Sequence, residues 1–454
     1  MTSRSSSTPG GLSRRSLLRG GLGAAAGVGL AGAMSGCGTP VSAGLAGSRL
    51  DPGTLTFWNL FGGGDGARLQ VMLDQYAAQH GGPSSLQAST FAWGNPYYTK
   101  VSLATLGGAP PDVAISHLTW ERNLALAGLL SPITDEMLGL VDLKASDFNQ
   151  KAWANQKVNG KNYAIPLDTH PFVLYYNKTI CQKAGLLDSA GKLKSIKGTQ
   201  QWEAALTAAK KVTGQYGASV ATIGDPSTSW RWFQTLYQQQ TGATPWLADQ
   251  GQNLTYNRDL TLKTLAYIQK LTKDGLMPVN TDYAGAETLM FTGKSAFYLE
   301  GEWEITTAQA VKGLSFGMVP VPTLFDKPAS MADSHTFVLP TQTRTPAQTK
   351  LAMGFIKSML DQSLTWAKGG HIPAYLPTLN STAYQRLEPQ SDYASAADDA
   401  VYDATAWYGG SGSNFENVVG AQIGLVQQGI ATPAAALASA RSQLLIYADT
   451  KSPL

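Results

Sequence analysis

Over residues 54–116, short runs of apolar residues alternate with segments whose apolar residues recur with the period of a helix. Residues 54–59 are apolar and aromatic and predict a strand. Residues 67–79 place their apolar side chains on one face and predict a helix. Residues 89–93 and 111–116 predict two more strands, with a helix over 97–106 between them. This strand–helix alternation predicts an α/β fold with a largely parallel sheet.

Four further helices are predicted downstream, over residues 199–213, 260–274, 345–360 and 432–445. Three of them open on a threonine, which is a good N-cap residue, and proline follows two of these threonines. The threonines are Thr199, Thr345 and Thr432. No internal repeat or coiled-coil heptad run interrupts this order.

Tryptophans lie near the ends of the three predicted strands. Trp58 and Asn59 end the first strand, Trp93 ends the second, and His117 and Trp120 follow the third. In open α/β sheets, ligands bind beyond the carboxyl ends of the strands. We therefore expect these five residues to face a ligand, with a place in the protein core as the alternative for each tryptophan.

Composition narrows the possible partners. Only 14% of the 454 residues are charged, against roughly 25% in an average soluble domain. The net charge of +3 depends on four arginines within the first 36 residues, and beyond them 30 basic residues face 31 acidic ones. A nucleic-acid binder needs many cationic side chains to neutralise phosphates, so that class is excluded. The 11 tryptophans exceed what a core requires, and we expect some to contact a ligand.

The N-terminal segment has the order of an export signal. Arg14 and Arg15 precede an uncharged stretch rich in glycine and alanine, which is typical of signal peptides and resembles the twin-arginine type. The sequence Met-Ser-Gly before Cys37 resembles a bacterial lipobox. Residues 1–36 are therefore predicted to be an export signal, Cys37 a lipidation site and residues 37–50 a flexible tether. A flexible tail with a chance arginine pair is the alternative, and the general export route remains open.

Cysteine usage fits this prediction. If Cys37 carries a lipid, only Cys181 remains, and a single cysteine forms no internal disulfide. Cys181 lies in an apolar context and is predicted to be a buried, inert thiol.

Five segments stand out along the chain: GGAPPDV at 107–113, NGKNYAIP with VLYYNK and KAGL within 159–186, FTGKSAF with GEW within 291–303, GMVPVP at 317–322, and GGHIPA at 369–374. These segments resemble, in the correct order, those of the family 1 extracellular solute-binding proteins of ABC importers. Each segment is unspecific alone, but their common order over about residues 54–380 is specific.

The resemblance implies a two-lobed, type II periplasmic-binding-protein-like α/β fold whose lobes are joined by a hinge and enclose a ligand cleft. Lobe one would comprise residues 51–168 plus 315–362, and lobe two residues 169–314 plus 363–454. The ligand would be handed to the transmembrane subunits of an ABC permease. The chain departs from the family pattern at 333–335, where Asp-Ser-His replaces a frequent glycine pair and alters a loop near the cleft.

A neutral sugar presents C–H patches to indole faces and hydroxyls to polar side chains. Trp303 is the first stacking candidate, because Gly301 before it would let the backbone approach a ligand. Trp230 and Trp232 would share one face of a strand. The polar candidates are Asp168, where the crossover enters the cleft, together with Glu302, His335 and His371. By contrast, Trp153 and Trp202 fall within apolar helix patterns and are predicted core residues.

Metal and catalytic signals are weak. No two histidines have the i,i+3 or i,i+4 spacing of ligands on one helix, so structural roles are favoured over metal ligation. Thr288 stands where a P-loop needs its first glycine, and no zinc-protease or serine-hydrolase motif occurs. Residues 62–66 predict a tight turn, in which Asp65 would repel an anion. The sequence predicts no cofactor, no metal and no enzymatic activity.

The sequence therefore predicts a monomeric, lipid-anchored binding protein on the outer face of a bacterial cell membrane, capturing a mono- or oligosaccharide. Three alternatives remain open. A polyol phosphate or other anionic ligand would need a cluster of basic residues in the cleft. A secreted carbohydrate-active enzyme would need two carboxylates across the sugar site. A surface adhesin would lack a cleft that closes.

Overall fold

The computed structural model describes residues 53–452, which form two large sheets, two small two-stranded ladders and surrounding helices. The strands are β1 Leu55–Asn59, β2 Leu86–Thr90, β3 Val113–His117, β4 Lys157–Val158, β5 Lys161–Asn162, β6 Ala164–Pro166, β7 Asp168–Asn177, β8 Ala218–Ser219, β9 Leu247–Ala248, β10 Asn253–Leu254, β11 Phe297–Gly301, β12 Phe316–Pro320, β13 Ser330–Asp333, β14 His335–Val338, β15 Ile372–Pro373 and β16 Ala400–Val401. The helices are α1 Gly63–Gln79, α2 Asn95–Leu106, α3 Leu118–Leu126, α4 Asp135–Gly139, α5 Gln150–Asn155, α6 Lys178–Lys183, α7 Gly198–Thr213, α8 Pro226–Gln238, α9 Arg258–Lys273, α10 Tyr283–Phe291, α11 Ile305–Ala310, α12 Pro346–Asp361, α13 Ser363–Ala367, α14 Leu376–Leu379, α15 Thr382–Gln385, α16 Asn414–Gln427 and α17 Pro433–Ala448.

The first sheet has the strand order β2-β1-β3-β14-β6. β1 pairs in parallel with β2 and β3, and β14 joins antiparallel to β3 and β6. Its buried side chains form the first core with those of α1 and α12, where Phe57 packs against Phe355 with ring centroids 4.9 Å apart. The predicted α/β class is confirmed, but the sheet is parallel only over β2-β1-β3, so the prediction of a largely parallel sheet is wrong. The sequence patterns located the first and third strands, whereas the predicted second strand at 89–93 overlaps β2 only at Ser89 and Thr90.

The second sheet is built around β7, whose ten residues are all buried. β7 pairs antiparallel with β11, β12, β13 and β15. A strand covered on both faces needs a nearly continuous apolar run rather than alternation, which its central Phe-Val-Leu-Tyr-Tyr sequence supplies. Buried residues of helices α7, α8, α9, α16 and α17 join those of this sheet in the second core.

The chain passes between the two sheets at Leu167, which separates β6 from β7, and at Ser334, which separates β13 from β14. It passes a third time between β14 and β15, because β14 pairs with β3 and β15 pairs with β7. The predicted return to lobe one at residue 315 is therefore wrong. β12 and β13 still pair with β7, so residues 317–322 do not cross between the sheets. The passage at Ser334 lies inside the Asp-Ser-His segment that departs from the family pattern.

Several predicted elements are shifted. Residues 62–66, predicted as a tight turn, instead enter the first turn of α1, which begins at Gly63. The second strand ends at Thr90, so Trp93 lies beyond it. Thr199 is not an N-cap, because α7 begins one residue earlier with Lys197 at its cap. The predictions for Thr345 and Thr432 are confirmed, since each side chain accepts a bond from the third residue of its helix.

The interpretation of residues 230–232 as a strand is wrong. They lie in α8, which Asp225 caps and Pro226 opens. This start signal is visible in the sequence. On a helix, successive side chains diverge by about 100°, so the two tryptophans and Arg231 point in different directions.

Three predictions about buried residues are confirmed. Trp153 and Trp202 are core residues, with exposed fractions of 3% and 1%. Cys181 is fully buried, and burial raises the pKa of its thiol to about 12. The predicted export signal, tether and lipidation site at Cys37 lie outside the described residues. Within residues 53–452, no helix is long and apolar enough to cross a membrane.

Candidate ligand-binding site

A cavity of ≈ 350 Å³ opens between the two sheets. One wall comes from the segment after β1, the end of β3 and the loop carrying Trp93. The opposite wall comes from β7, α8, α10 and the segments around Trp303 and β13. The lining residues are Leu60, Phe61, Gly62, Asp65, Trp93, His117, His170, Phe172, Asp225, Arg231, Tyr283, Trp303, Met331, Asp333, His335 and Ser411. Apolar rings and acidic or imidazole groups thus share one surface.

Trp303 lies in the short helical turn after β11 and is held from two sides. Its indole Nε1 donates to the Tyr283 hydroxyl at 3.0 Å. The Arg231 guanidinium carbon lies 5.1 Å from the centroid of its ring, within the range of a cation–π contact. These contacts fix the orientation of the ring while leaving it only half-buried at the cavity wall.

Two glycines make this packing possible. A Cβ on Gly301 would overlap the Trp303 ring, so this glycine accommodates the indole, a role that the sequence analysis did not predict. Gly370 adopts φ +114, and a Cβ there would meet the Glu302 carbonyl. Both glycines allow the segment carrying Trp303 to pack tightly behind the cavity.

The charged side chains that line the cavity are mostly acidic. Of the described residues that line the cavity, Arg231 is the only lysine or arginine, whereas Asp65, Asp225 and Asp333 all contribute carboxyl groups. Burial raises the pKa of Asp333 to about 7, although its carboxylate accepts bonds from the Thr119 side chain and backbone. Burial alone lowers the pKa of Arg231, but the nearby Glu416, Asp225 and Glu300 outweigh it and raise that pKa.

Asp168 is the centre of a buried hydrogen-bond network behind the cavity. Its Oδ1 accepts from the His335 backbone N–H at 2.8 Å and lies 3.1 Å from His170 Nδ1. Its Oδ2 accepts from Trp366 Nε1 at 2.6 Å and lies 2.8 Å from His335 Nδ1. Burial opposes ionisation, but His335, His170 and His371 outweigh it and hold the pKa of Asp168 well below its usual range.

His371 lies among three carboxylates. Its Nε2 is 3.0 Å from Asp65 Oδ1, and its Nδ1 is 3.0 Å from Glu302 Oε1 and 3.3 Å from Asp168 Oδ2. Burial lowers the pKa of His371, but these carboxylates outweigh it and raise that pKa well above its usual value. Burial raises the pKa of Glu302 to about 7. In contrast, burial and the neighbouring His335 lower the pKa of His170 to about 3.

The predicted site residues fall into three groups. Four line the cavity: Trp93, His117, Trp303 and His335. Four lie directly behind its wall: Trp120, which donates to the backbone of Ser411, and the buried Asp168, Glu302 and His371. The other four do not line it: Trp58, Asn59, Trp230 and Trp232.

The last group is corrected for physical reasons. Trp58 packs edge-on against Phe91 in the first core. The Asn59 amide closes the turn after β1 by accepting from Phe61 N–H and donating to Ser89. Trp230 and Trp232 lie in the second core, with exposed fractions of 1% and 0%.

The sequence predictions missed Arg231, Asp225, Tyr283 and the side of α1 that carries Asp65. Asp225 has a local signal, since an Asp-Pro pair before a helical pattern marks an N-cap. Arg231 and Tyr283 have none, because nothing in the sequence around them shows that they approach Trp303.

Two sheets linked by repeated crossovers, with a mixed aromatic and polar cavity between them, define a ligand-binding α/β protein. A family model described as bacterial extracellular solute-binding protein matches residues 72–397. The chain belongs to this family, which confirms the resemblance found in the sequence. Proteins of this family bind solutes, and they are exported from the cell.

The chain is 26% identical over 245 residues to the arabinooligosaccharide-binding protein of Bacillus subtilis (strain 168). That match covers 54% of this chain and 52% of the relative, so it spans about half the length of the curated relative.

Solved structures share the fold over most of the chain. The GacH receptor of Streptomyces glaucescens GLA.O, studied unliganded and with acarbose, gives a TM-score of 0.71 at 19% identity, covering 88% of this chain and 99% of that one. The substrate-binding protein Lmo0181 of Listeria monocytogenes, in complex with cycloalternan, gives a TM-score of 0.70 at 18% identity, covering 88% of this chain and 100% of that one. The sugar-binding protein MalE of Xanthomonas citri gives a TM-score of 0.70 at 16% identity, covering 87% of this chain and 97% of that one. At such identities the likeness establishes the fold.

Proposed function

We propose that this protein captures a short saccharide in the cavity between its sheets and delivers it to the permease of an ABC importer. The observation that carries the proposal is the Trp303 ring at the cavity wall, with Asp225, Asp333 and Arg231 around the same space. An indole face packs well against the C–H patches of a sugar, and carboxylates accept hydrogen bonds from the hydroxyl groups of a sugar. A volume of ≈ 350 Å³ is at the small end of ligand pockets, about 300–1,000 Å³.

The relatives support the same ligand class. The curated relative is named for arabinooligosaccharides, and similar structures were solved with acarbose, cycloalternan, maltotetraose and mannotriose. Closure of the two lobes around the ligand would follow from the crossovers at Leu167 and Ser334, where short extended segments join the sheets. In this proposal the chain binds its ligand without converting it.

An anionic ligand is less well supported. One guanidinium faces three carboxyl groups in the cavity lining, and repulsion from those carboxylates would offset much of its attraction for a phosphate. The structure of UgpB from Mycobacterium tuberculosis, similar at 16% identity, was solved with glycerophosphocholine. This phosphodiester therefore belongs in any ligand screen as a competing class.

A thermal-shift screen tests the proposal. A ligand that binds only the folded state at a hundred times its dissociation constant stabilises the protein by about 2.7 kcal/mol. We expect at least one neutral oligosaccharide, among arabino-, malto- and mannooligosaccharides, to raise the melting temperature and to be recovered unchanged after incubation. A rise with glycerophosphocholine alone would overturn the saccharide assignment, and cleavage of the bound sugar would indicate an enzyme.

The proposed anchor is tested at Cys37. If this residue is acylated, the protein expressed in its full length should partition with the membrane fraction. We expect Cys37→Ser to release the protein into the soluble fraction or to block its processing, whereas Cys181→Ser, at the buried thiol, should leave partitioning unchanged. Soluble wild-type protein in washed cells would contradict lipid anchoring.

A further inference from the structure

Four buried side chains converge where the chain passes between the two sheets. Asp168 and His170 begin β7, His335 begins β14, and His371 lies directly before β15. Their exposed fractions are between 0% and 6%. One possible ligand atom from each lies within 4.8 Å of the others. We call these four residues the His–Asp cluster.

The spacing within the His–Asp cluster matches a metal coordination shell. The Nδ1 atoms of His170, His335 and His371 lie 3.1, 2.8 and 3.3 Å from the carboxylate oxygens of Asp168. Bond lengths of about 2.0–2.1 Å in a tetrahedral zinc site separate neighbouring ligand atoms by roughly 3.3 Å. Small side-chain shifts would therefore bring all four groups around one ion.

Hydrogen bonding within the protein leaves part of this region unsatisfied. A carboxylate offers about four lone-pair sites, and Asp168 already has four contacts, with Trp366, His170 and two groups of His335. Among the described residues, His371 Nδ1 has no partner with hydrogen-bond geometry, although two carboxylates lie close to it. Among the described residues, both carboxylate oxygens of the fully buried Glu302 also lack a partner with hydrogen-bond geometry. An unsatisfied buried polar group costs about 1–3 kcal/mol, and an ion bound to His371 Nδ1 would remove that cost.

The donor set selects the class of ion. Imidazole nitrogens suit zinc, copper, iron and nickel, whereas calcium and magnesium require oxygen ligands. The surroundings also fit, because metal-bound imidazoles and carboxylates are usually held by further hydrogen bonds. Here Asp65 contacts the far nitrogen of His371, and Trp366 donates to Asp168.

The geometry points to a binding site for one zinc-class divalent ion in the His–Asp cluster, at the inner wall of the ligand cavity. The ion would join β7 of the second sheet to β14 of the first, beside the crossovers at Leu167 and Ser334. His170 and His335 also line the cavity, so the ion would lie next to the bound ligand. This inference does not depend on the identity of that ligand.

The test uses the full-length protein stripped with a chelator and then titrated with Zn²⁺. We expect one zinc per chain by elemental analysis and calorimetry, and a visible absorption spectrum typical of nitrogen and oxygen ligation when Co²⁺ replaces zinc. His170→Gln and His371→Gln should each weaken zinc binding by more than the ten- to a hundredfold that loss of an outer-shell partner of a metal ligand typically costs. His80→Gln is the matched control, because this fifth histidine is exposed at the end of α1 and should bind zinc like the wild type.

Wild-type protein that takes up no zinc would overturn the inference, as would equal zinc affinity in wild type, His170→Gln and His371→Gln. Circular dichroism without metal shows whether His170→Gln and His371→Gln fold. If neither variant folds, the number of zinc ions bound per wild-type chain decides whether the site exists. Repeating the saccharide screen on stripped protein separates the two proposals. Sugar binding without zinc uptake would refute only the metal site, and zinc uptake without sugar binding would refute only the saccharide assignment.

Discussion

Replacing Trp303 by alanine is expected to weaken saccharide binding about ten- to a hundredfold, equivalent to about 1–3 kcal/mol, by analogy with the stacking of nucleic-acid bases on aromatic side chains. The half-buried ring lies at the cavity wall, and its contacts with Tyr283 and Arg231 fix it before the ligand arrives. Calorimetry with a saccharide identified by thermal shift measures the loss. Trp303→Phe should retain part of the affinity, because a smaller ring still stacks.

The matched control is Trp202, which packs against Phe297 in the second core, away from the cavity. Trp202→Ala should lower the free energy of unfolding by about 3–5 kcal/mol and leave the affinity of the folded protein nearly unchanged. If Trp303→Ala instead binds the sugar like the wild type while its melting temperature falls sharply, Trp303 is a core residue and the stacking assignment is wrong.

Replacing Asp168 by alanine is expected to lower the free energy of unfolding by about 3–5 kcal/mol, because it leaves a network of buried donors without their acceptor. Trp366 Nε1, the His335 backbone N–H and two imidazole nitrogens all meet this one fully buried carboxylate. Urea unfolding of both proteins in the presence of a chelator measures the difference without any contribution from bound metal.

Asp259→Ala provides the comparison, since the Asp259 side chain is 93% exposed and surface substitutions of this kind usually change stability by no more than about 0.5 kcal/mol. A loss below about 1 kcal/mol for Asp168→Ala would show that water or shifted side chains replace the carboxylate. The network would then contribute little to holding the crossovers together.

The prediction of the first sheet succeeded because its signals are local. Residues 54–59 and 111–116 carry compact apolar runs between helical patterns. The first run contains β1, and the second covers all of β3 except its last residue, His117. The helix caps at Thr345 and Thr432 depend on a hydroxyl and a backbone N–H three residues away. Signals of this range can be read directly from the sequence.

The candidate site was predicted only in part. Trp303 and His335 were found through the family resemblance, and both line the cavity. Trp58 and Trp230 were misplaced, because an apolar ring at the end of a strand or on a helix suits a core as well as a cleft. Which surroundings each ring meets depends on how the helices pack on the sheets.

The histidines show the same limit more clearly. Their spacing argued against metal ligation, since two ligands on one helix must lie three or four residues apart. Asp168 and His335 are 167 positions apart, yet the His335 backbone N–H donates to Asp168 Oδ1 at 2.8 Å, because the crossovers at Leu167 and Ser334 lie side by side. Spacing along the chain gives no information about side chains that separate crossovers bring together.

The sequence by itself determined the α/β class, the first and third strands, six of the longer helices and, through ordered motifs, the family. These properties follow from local periodicity, caps and short segments whose meaning does not depend on distant residues. Only the tertiary structure decided where the chain crosses between the sheets, which rings face the cavity and which charges surround Arg231 and His371. Those properties depend on contacts between segments far apart in the chain, and such contacts form only when both sheets are packed.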